Sequence, residues 1–313
     1  ILENLNIEYV FGVPGSYIMP IWENIGGKNK LLLARHENGA VFMADGYSRM
    51  TGKMGVALTT VGPGVTNSVT GIACAYQDSI PLLIIAGSGS TGDLKKGVFQ
   101  NCSEFDRGFS PISLLAPITK KCFWPQNEKE AVENLLEAIY VVNEGRKGPV
   151  HISLPLDVQN AEIELDMEKV KPIELTKKRR DGINNKVIDI IKESERPIIL
   201  CGWGTYLSGA AEELDRFCRD VNIPFVSTVK GVAACNGENE LYYGIVGNVM
   251  HEEDRNVIKD YKADLVIALG SSLSTNSCPS YDSLFDNAYV MQVDIDESQF
   301  NRYRNTHYHI ISD

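Results

Sequence analysis

The chain has 313 residues, 43% hydrophobic and 23% charged, with 41 acidic against 30 basic side chains and a net charge of -11. That length accommodates two ordinary domains with separate cores, and the composition is that of a soluble globular protein. The acidic balance argues against a nucleic-acid surface, and no apolar run approaches the roughly 20 residues of a membrane span or reads as a signal peptide. Seven cysteines, at 74, 102, 122, 201, 218, 235 and 278, are dispersed without a Cys-x-x-Cys pair. Such a set implies free thiols in a reducing cytoplasm rather than a disulfide framework or a zinc site.

In chain order, short apolar runs alternate with helical patterns, the arrangement of parallel α/β layers. Strands are expected at 8–12, 31–34, 54–60, 81–87 and 148–154, with Leu31 to Leu33 reading as buried. Helices fall between them at 17–25, 38–50, 65–76 and 127–144. Residues 161–182, "AEIELDMEKVKPIELTKKRRDG", are highly charged and weakly periodic, which reads as a linker. The "KKRR" run at 177–180 within it reads as solvated. A second α/β pattern follows: helix 184–194, strand 197–202, helix 210–221, then strands 224–228, 263–270 and 288–296. A final strand precedes the terminal "HIISD", and the chain, opening without Met, reads as a piece of something longer.

Three glycine loops stand out. "GSGSTG" (87–92) has Gly-x-Gly-x-x-Gly spacing after a strand, but no apolar helical stripe follows, so a mobile loop is expected rather than a dinucleotide site. "CGWGTYLSGAAEEL" (201–214) is flanked by strand and helix, and either an anion at a helix N-terminus or a plain tight turn satisfies it. "TTVGPGVTN" (59–67) ends a strand in Gly62-Pro63-Gly64, where Pro63 fixes φ and both glycines permit close approach.

The remaining signal is "LLLARHENGAVFMADGYSR" (31–49), where Arg35, His36 and Glu37 arrive together as a strand hands over to a helix. In an arbitrary chain such a Glu is a first-turn carboxylate favoured by the helix dipole.

The ordered set "VFGVPGSYIMPIWENI", "RHENGAVFMADGYSRMTGKMGVALTTVGPGVTN", "GVFQ", "ITKKCFW" and "GPVHISLPLDV" resembles the thiamine-diphosphate-dependent enzymes of the acetolactate synthase and 2-oxoacid decarboxylase superfamily. The resemblance implies two parallel-sheet α/β domains: a pyrimidine-binding domain at 1–160 and, after the linker 161–182, a Rossmann-like central domain at 183–313. It also implies a role for Glu37. In this family the Glu of the "HE" motif contacts a ring nitrogen of the cofactor's aminopyrimidine and, by sharing a proton with it, sets the ring's tautomer. His36 and Arg35 then position the loop or pair with carboxylates. By motif match, Pro14, Gly15 and Ser16 approach the cofactor, and Pro63, Gly64 and Asn67 shape its ring pocket. Phe99 and Gln100, with Lys120, fall to the substrate.

Several positions depart from the family pattern. Acetolactate synthases usually read Pro-Gly-Gly where this chain has Pro14-Gly15-Ser16, and the paired histidines of pyruvate decarboxylases are missing at 95–105. "LGSSLSTNSCPSYDSL" (269–284) has no Arg where flavin-binding synthases are rich in it, so FAD is doubtful. The family holds Mg²⁺ and diphosphate through a Gly-Asp-Gly motif in a third domain. No such motif occurs in these residues, and neither "GDL" (92–94) nor "ADGYSR" (44–49) replaces it, so no metal ligand is assigned.

The expected function is therefore that of part of a carboligase or decarboxylase acting on a 2-oxoacid such as pyruvate. The full assembly would be a homodimer or tetramer with thiamine diphosphate, Mg²⁺ and the active site at a subunit interface. Acyl transfer to another acceptor such as a keto-sugar, or a non-catalytic binding or regulatory subunit, are the alternatives. No nucleic acid or membrane is expected as a partner.

Overall fold

The apolar runs condense into two six-stranded sheets, one in each of the units Ile1–Leu175 and Thr176–Asp313. The computed structural model describes residues 1–26, 29–93, 96–100, 110–165, 184–279 and 283–313. Most of the expected linker, including the run 177–180, lies outside the described residues. Among the described residues no helix is long and apolar enough to cross a membrane.

In the first unit the strand order is β2-β1-β3-β4-β6-β5, all parallel, with β1 Tyr9–Gly12, β2 Lys30–Leu33, β3 Gly55–Thr59, β4 Leu82–Ser88, β5 Lys121–Phe123 and β6 Val150–Pro155. One face buries Val56, Leu58, Leu83, Ile85, Val150 and Ile152 against Ala138, Ile139 and Val142 of helix Glu128–Asn143. That helix begins at Asn127, whose side chain accepts from the Glu130 N–H at 2.9 Å. Alternation sends Ala57 and Thr59 of β3 to the opposite face. There, helix α2 (Glu37–Thr51) packs on the sheet and on the helix Val69–Asp78. Arg49 ties these two helices, donating from Nε to Asp45 at 2.5 Å and from a terminal nitrogen to Asp78 at 2.8 Å.

Three expectations are corrected here. Leu31 to Leu33 are not a buried strand: β2 is the sheet edge, hydrogen-bonded only to β1, and Leu33 is 67% exposed. The helix expected at 65–76 is two, Pro63–Thr66 and Val69–Asp78, broken at Asn67-Ser68. The "GSGSTG" loop is anchored: Gly87 and Ser88 belong to β4, and Thr91–Asp93 form a 3-10 turn. Asp157 holds that turn, accepting from the Thr91 N–H at 3.0 Å and its hydroxyl at 2.5 Å. Burial pushes the Asp157 pKa up, but these hydrogen bonds outweigh it and bring it below the usual carboxylate range.

The second unit has the order β12-β11-β10-β7-β8-β9, again all parallel, with β7 Pro197–Cys201, β8 Phe225–Ser227, β9 Tyr242–Ile245, β10 Leu265–Leu269, β11 Tyr289–Asp294 and β12 Tyr308–Ile311. Ile198, Leu200, Val266 and Ala268 form a core on one face, Ile199, Phe225, Ile267 and Met291 on the other. The order reverses between β7 and β10, the place where ligands enter such sheets. Here main chain fills it. The Gly202 and Gly204 N–H groups donate to the Leu269 and Gly270 carbonyls at 2.8 and 2.9 Å. A Cβ on Gly204 would lie 2.7 Å from the Gly270 Cα. At residues 201–204 the structure is a tight turn, whose Gly202 and Gly204 amides are already engaged.

Candidate active site

In the first sheet the order reverses at β1, flanked by β2 and β3, and the C-terminal ends of these three strands carry the loops of interest. After β1 come Pro14, Gly15 and Ser16; after β2, Arg35 to Glu37; after β3, the turn to Pro63 and Gly64.

Glu37 is the first residue of α2, at the helix's positive end. His36 caps it in an extended conformation, its Nδ1 accepting from the Asn38 N–H at 3.1 Å. The half-buried Glu37 carboxylate accepts at Oε2 from Asn67 Nδ2, 2.9 Å away. Asn38, one residue on, accepts at Oδ1 from the Gly71 N–H at 2.8 Å. Two consecutive side chains of one helix are thus fixed by the segment after the Gly-Pro-Gly turn. Gly71 is required for this, since a Cβ there would meet Val41 Cγ1 at 2.7 Å.

The turn itself depends on Gly62, whose φ of 60° and ψ of -106° suit only glycine, and on Pro63, which starts the short helix with its fixed φ. Thr60 lies beneath. A Cβ on Gly15 would fall 2.5 Å from Thr60 Cβ, and one on Gly64 would fall 3.0 Å from Thr60 Cγ2. The β1 loop and the β3 turn therefore close on the same side chain. The Thr59 and Thr60 hydroxyls are buried without a hydrogen-bond partner among the described residues.

Pro14, Gly15, Ser16, Glu37, Pro63, Gly64 and Asn67 thus come together at one sheet edge. Phe99 and Gln100 sit beyond the 3-10 turn after β4, with Phe99 73% exposed and Gln100 at φ 60°. Lys120 is placed elsewhere. It immediately precedes β5 at the N-terminal edge of the parallel sheet, opposite Glu37. Its ammonium donates to the Val141 and Glu144 carbonyls, the latter at 2.6 Å. In place of the Glu37 edge it caps the helix Glu128–Asn143, whose last carbonyls need donors. Asn38 and Thr60 went unassigned from sequence. Asn at a second helical position is a signal in hindsight, because it competes for main-chain partners unless its side chain has one elsewhere.

The sequence can also be set beside known proteins. Residues 1–107 match the N-terminal TPP binding domain of thiamine pyrophosphate enzymes, and residues 184–313 match their central domain. The chain belongs to the thiamine pyrophosphate enzyme family. It is similar to the acetolactate synthase large subunit of Corynebacterium glutamicum, 32% identical across all of this chain and 49% of that protein. The probable acetolactate synthase large subunit of Methanococcus aeolicus is 35% identical over all of this chain and 52% of its own length. The acetolactate synthase large subunit of Lactococcus lactis subsp. lactis is 32% identical over all of this chain and 54% of its own length. The chain spans about half the length of the curated relatives it matches.

The residues at this edge fit the ring end of thiamine diphosphate. A carboxyl group held on one oxygen by an amide keeps its other oxygen for a ring nitrogen, and glycines at 15 and 64 bring main chain close. None of these residues is assigned to the diphosphate or to a metal ion.

Proposed function

We propose that this chain supplies the ring-binding half of the active site of a thiamine-diphosphate-dependent carboligase of acetolactate synthase type, acting on a 2-oxoacid such as pyruvate. The observation that carries this reading is the Glu37 carboxylate, held by Asn67 at 2.9 Å where the parallel sheet reverses its order. When bound, the cofactor supplies the carbon nucleophile and electron sink for making or breaking bonds beside a carbonyl.

Glu37 holds or releases a proton at the aminopyrimidine nitrogen. Asn67 fixes the carboxylate plane by occupying Oε2, and His36 fixes the helix start that presents it. Pro14 and Ser16, both exposed, line the mouth, and Pro63 and Gly64 form one wall. Phe99 and Gln100 lie on the side from which substrate enters. Mg²⁺ and the diphosphate are held by residues other than these.

The working enzyme is a cytoplasmic homodimer or tetramer with the site at a subunit interface. Exposed Leu33 on β2 and Phe42, Met43 and Met50 on α2 support this, since exposed apolar groups on neighbouring elements mark contact surfaces. The central domain carries no flavin, a reading that rests on the Arg-free stretch 269–284. A flavin absorption spectrum in the purified full-length protein would overturn that part alone.

Glu37→Gln in the full-length protein tests the main reading. It should fold with an unchanged far-ultraviolet spectrum and lose about 10² to 10⁴-fold in turnover, the range of a general acid-base group. Near-normal turnover would remove Glu37 from the chemistry.

A further inference from the structure

We infer that Cys201 and Cys235 of the central domain form a redox-active thiol pair, a site of reversible disulfide formation. Cys201 ends β7 and is fully buried; Cys235 follows the 3-10 turn Gly231–Ala234 and is half-buried. Both thiols donate to one acceptor, the Gly231 carbonyl, at Sγ–O distances of 3.6 and 3.5 Å. The neighbouring Cys235 thiol draws the Cys201 pKa down against the opposing effect of burial.

Main chain fixes this approach. The Thr228 N–H donates to the Cys201 carbonyl at 2.9 Å, and the Gly231 N–H donates to Thr228 Oγ1 at 3.0 Å. A Cβ on Gly231 would lie 2.1 Å from the Cys201 oxygen, so only glycine lets the turn seat on the strand end. The two sulfurs are held together by the backbone on either side of them.

The other thiols in the region behave differently. Cys278 and Cys218 are buried as small hydrophobes within the cores. Burial, with the charges of Asp215 and Cys201, pushes Cys218 up to about 12, so it stays a thiol. Of the pair, Cys201 is the thiol whose pKa is drawn down, and half-buried Cys235 gives the pair its opening to solvent.

The oxidant class is a peroxide, small enough to enter beside Cys235. A thiolate of the pair attacks one peroxide oxygen, forming an S–O bond as the O–O bond breaks and hydroxide leaves. The second thiol then attacks that sulfur. The S–S bond forms, the S–O bond breaks, and the oxygen departs as water with the second thiol's proton. Two thiols are oxidised and one peroxide is reduced to two waters.

Peptide mapping tests this directly. Trypsin places each thiol in its own peptide: Cys201 in 193–216, Cys218 in 217–219 and Cys235 in 231–255, because the Arg196-Pro197 bond resists cleavage. Full-length protein is reduced, exposed to a small excess of hydrogen peroxide, alkylated and digested without reductant. The expected result is a cross-linked species of 193–216 with 231–255 that dithiothreitol returns to its parts. It should be lost in Cys235→Ser and retained in Cys218→Ala. A cross-link from 193–216 to 217–219, sulfinic acid on Cys235 without a cross-link, or two alkylated thiols after peroxide would each overturn the pair.

Discussion

Glu37 Oε2 and Asn67 Nδ2, thirty residues apart in the chain, lie 2.9 Å apart across the start of α2. Each sits where its own segment leaves regular structure: Glu37 opens α2, and Asn67 breaks the expected helix into Pro63–Thr66 and Val69–Asp78. Their bond is a charge-assisted link between two motifs that carry no chemistry apart.

Asn67→Ala therefore separates a positioning role from a folding one. Asn67 is exposed, so stability should fall by no more than about 1 kcal/mol, the net worth of an ordinary hydrogen bond. Affinity for thiamine diphosphate, measured by titration calorimetry on the full-length protein with Mg²⁺, should weaken several-fold, with a fall in turnover. Unchanged affinity and turnover would make the contact incidental.

Lys120 gives a stability prediction with a pH sign. Burial pushes its ammonium down to about 8, with the Glu144 charge opposing, whereas an ordinary lysine lies near 10.5. Between about 8 and 10.5 the unfolded state binds the extra proton, so stability should rise with pH across that window. Lys120→Met removes that slope and uncaps the carbonyls of Val141 and Glu144. The variant should lose about 1 kcal/mol near neutral pH without a change in KM, in denaturant titrations run beside steady-state kinetics. A raised KM with unchanged stability would return Lys120 to the substrate.

His151 lies fully buried in β6, its Nδ1 without a partner among the described residues and its Nε2 3.4 Å from Ser153 Oγ. Burial pushes it down to about 3, against an ordinary 6.5. The folded state thus refuses a proton that the unfolded chain accepts, and stability should decline as pH falls from about 6.5 toward 3. His151→Leu removes the unpaired nitrogen. It should be within about 1.5 kcal/mol of the parent at pH 7 and less acid-sensitive, as read from urea midpoints at pH 7 and pH 4.5. A variant as acid-sensitive as the parent would assign that sensitivity elsewhere.

The parallel α/β layering is what the alternation of apolar runs and helical stripes implies, and the helix expected at 127–144 was legible in its period. Strand β5 was not, because three residues, Lys-Cys-Phe, are too few for a period to register. Burial was misjudged for Leu31 to Leu33 because composition cannot say which strand lacks a second neighbour. At the site, Glu37 was legible as a carboxylate at a strand-to-helix junction. The wedge of Thr60 between Gly15 and Gly64 was not, since it depends on two loops meeting in space. The place of Lys120 was not legible for the same reason: its motif grouped it with the substrate residues, while the parallel sheet carries it to the edge opposite Glu37.

The central claim is that the Glu37 carboxyl group acts through the aminopyrimidine ring of thiamine diphosphate. Its most direct test is the rate at which hydrogen at the reactive thiazolium carbon of bound cofactor exchanges with deuterium, followed by quenched-flow NMR in the full-length protein and its Glu37→Gln variant. Exchange should be slowed by about 10²-fold or more in the variant, consistent with loss of an acid-base group, at saturating cofactor and with the fold intact. Equal exchange rates at full occupancy would contradict it.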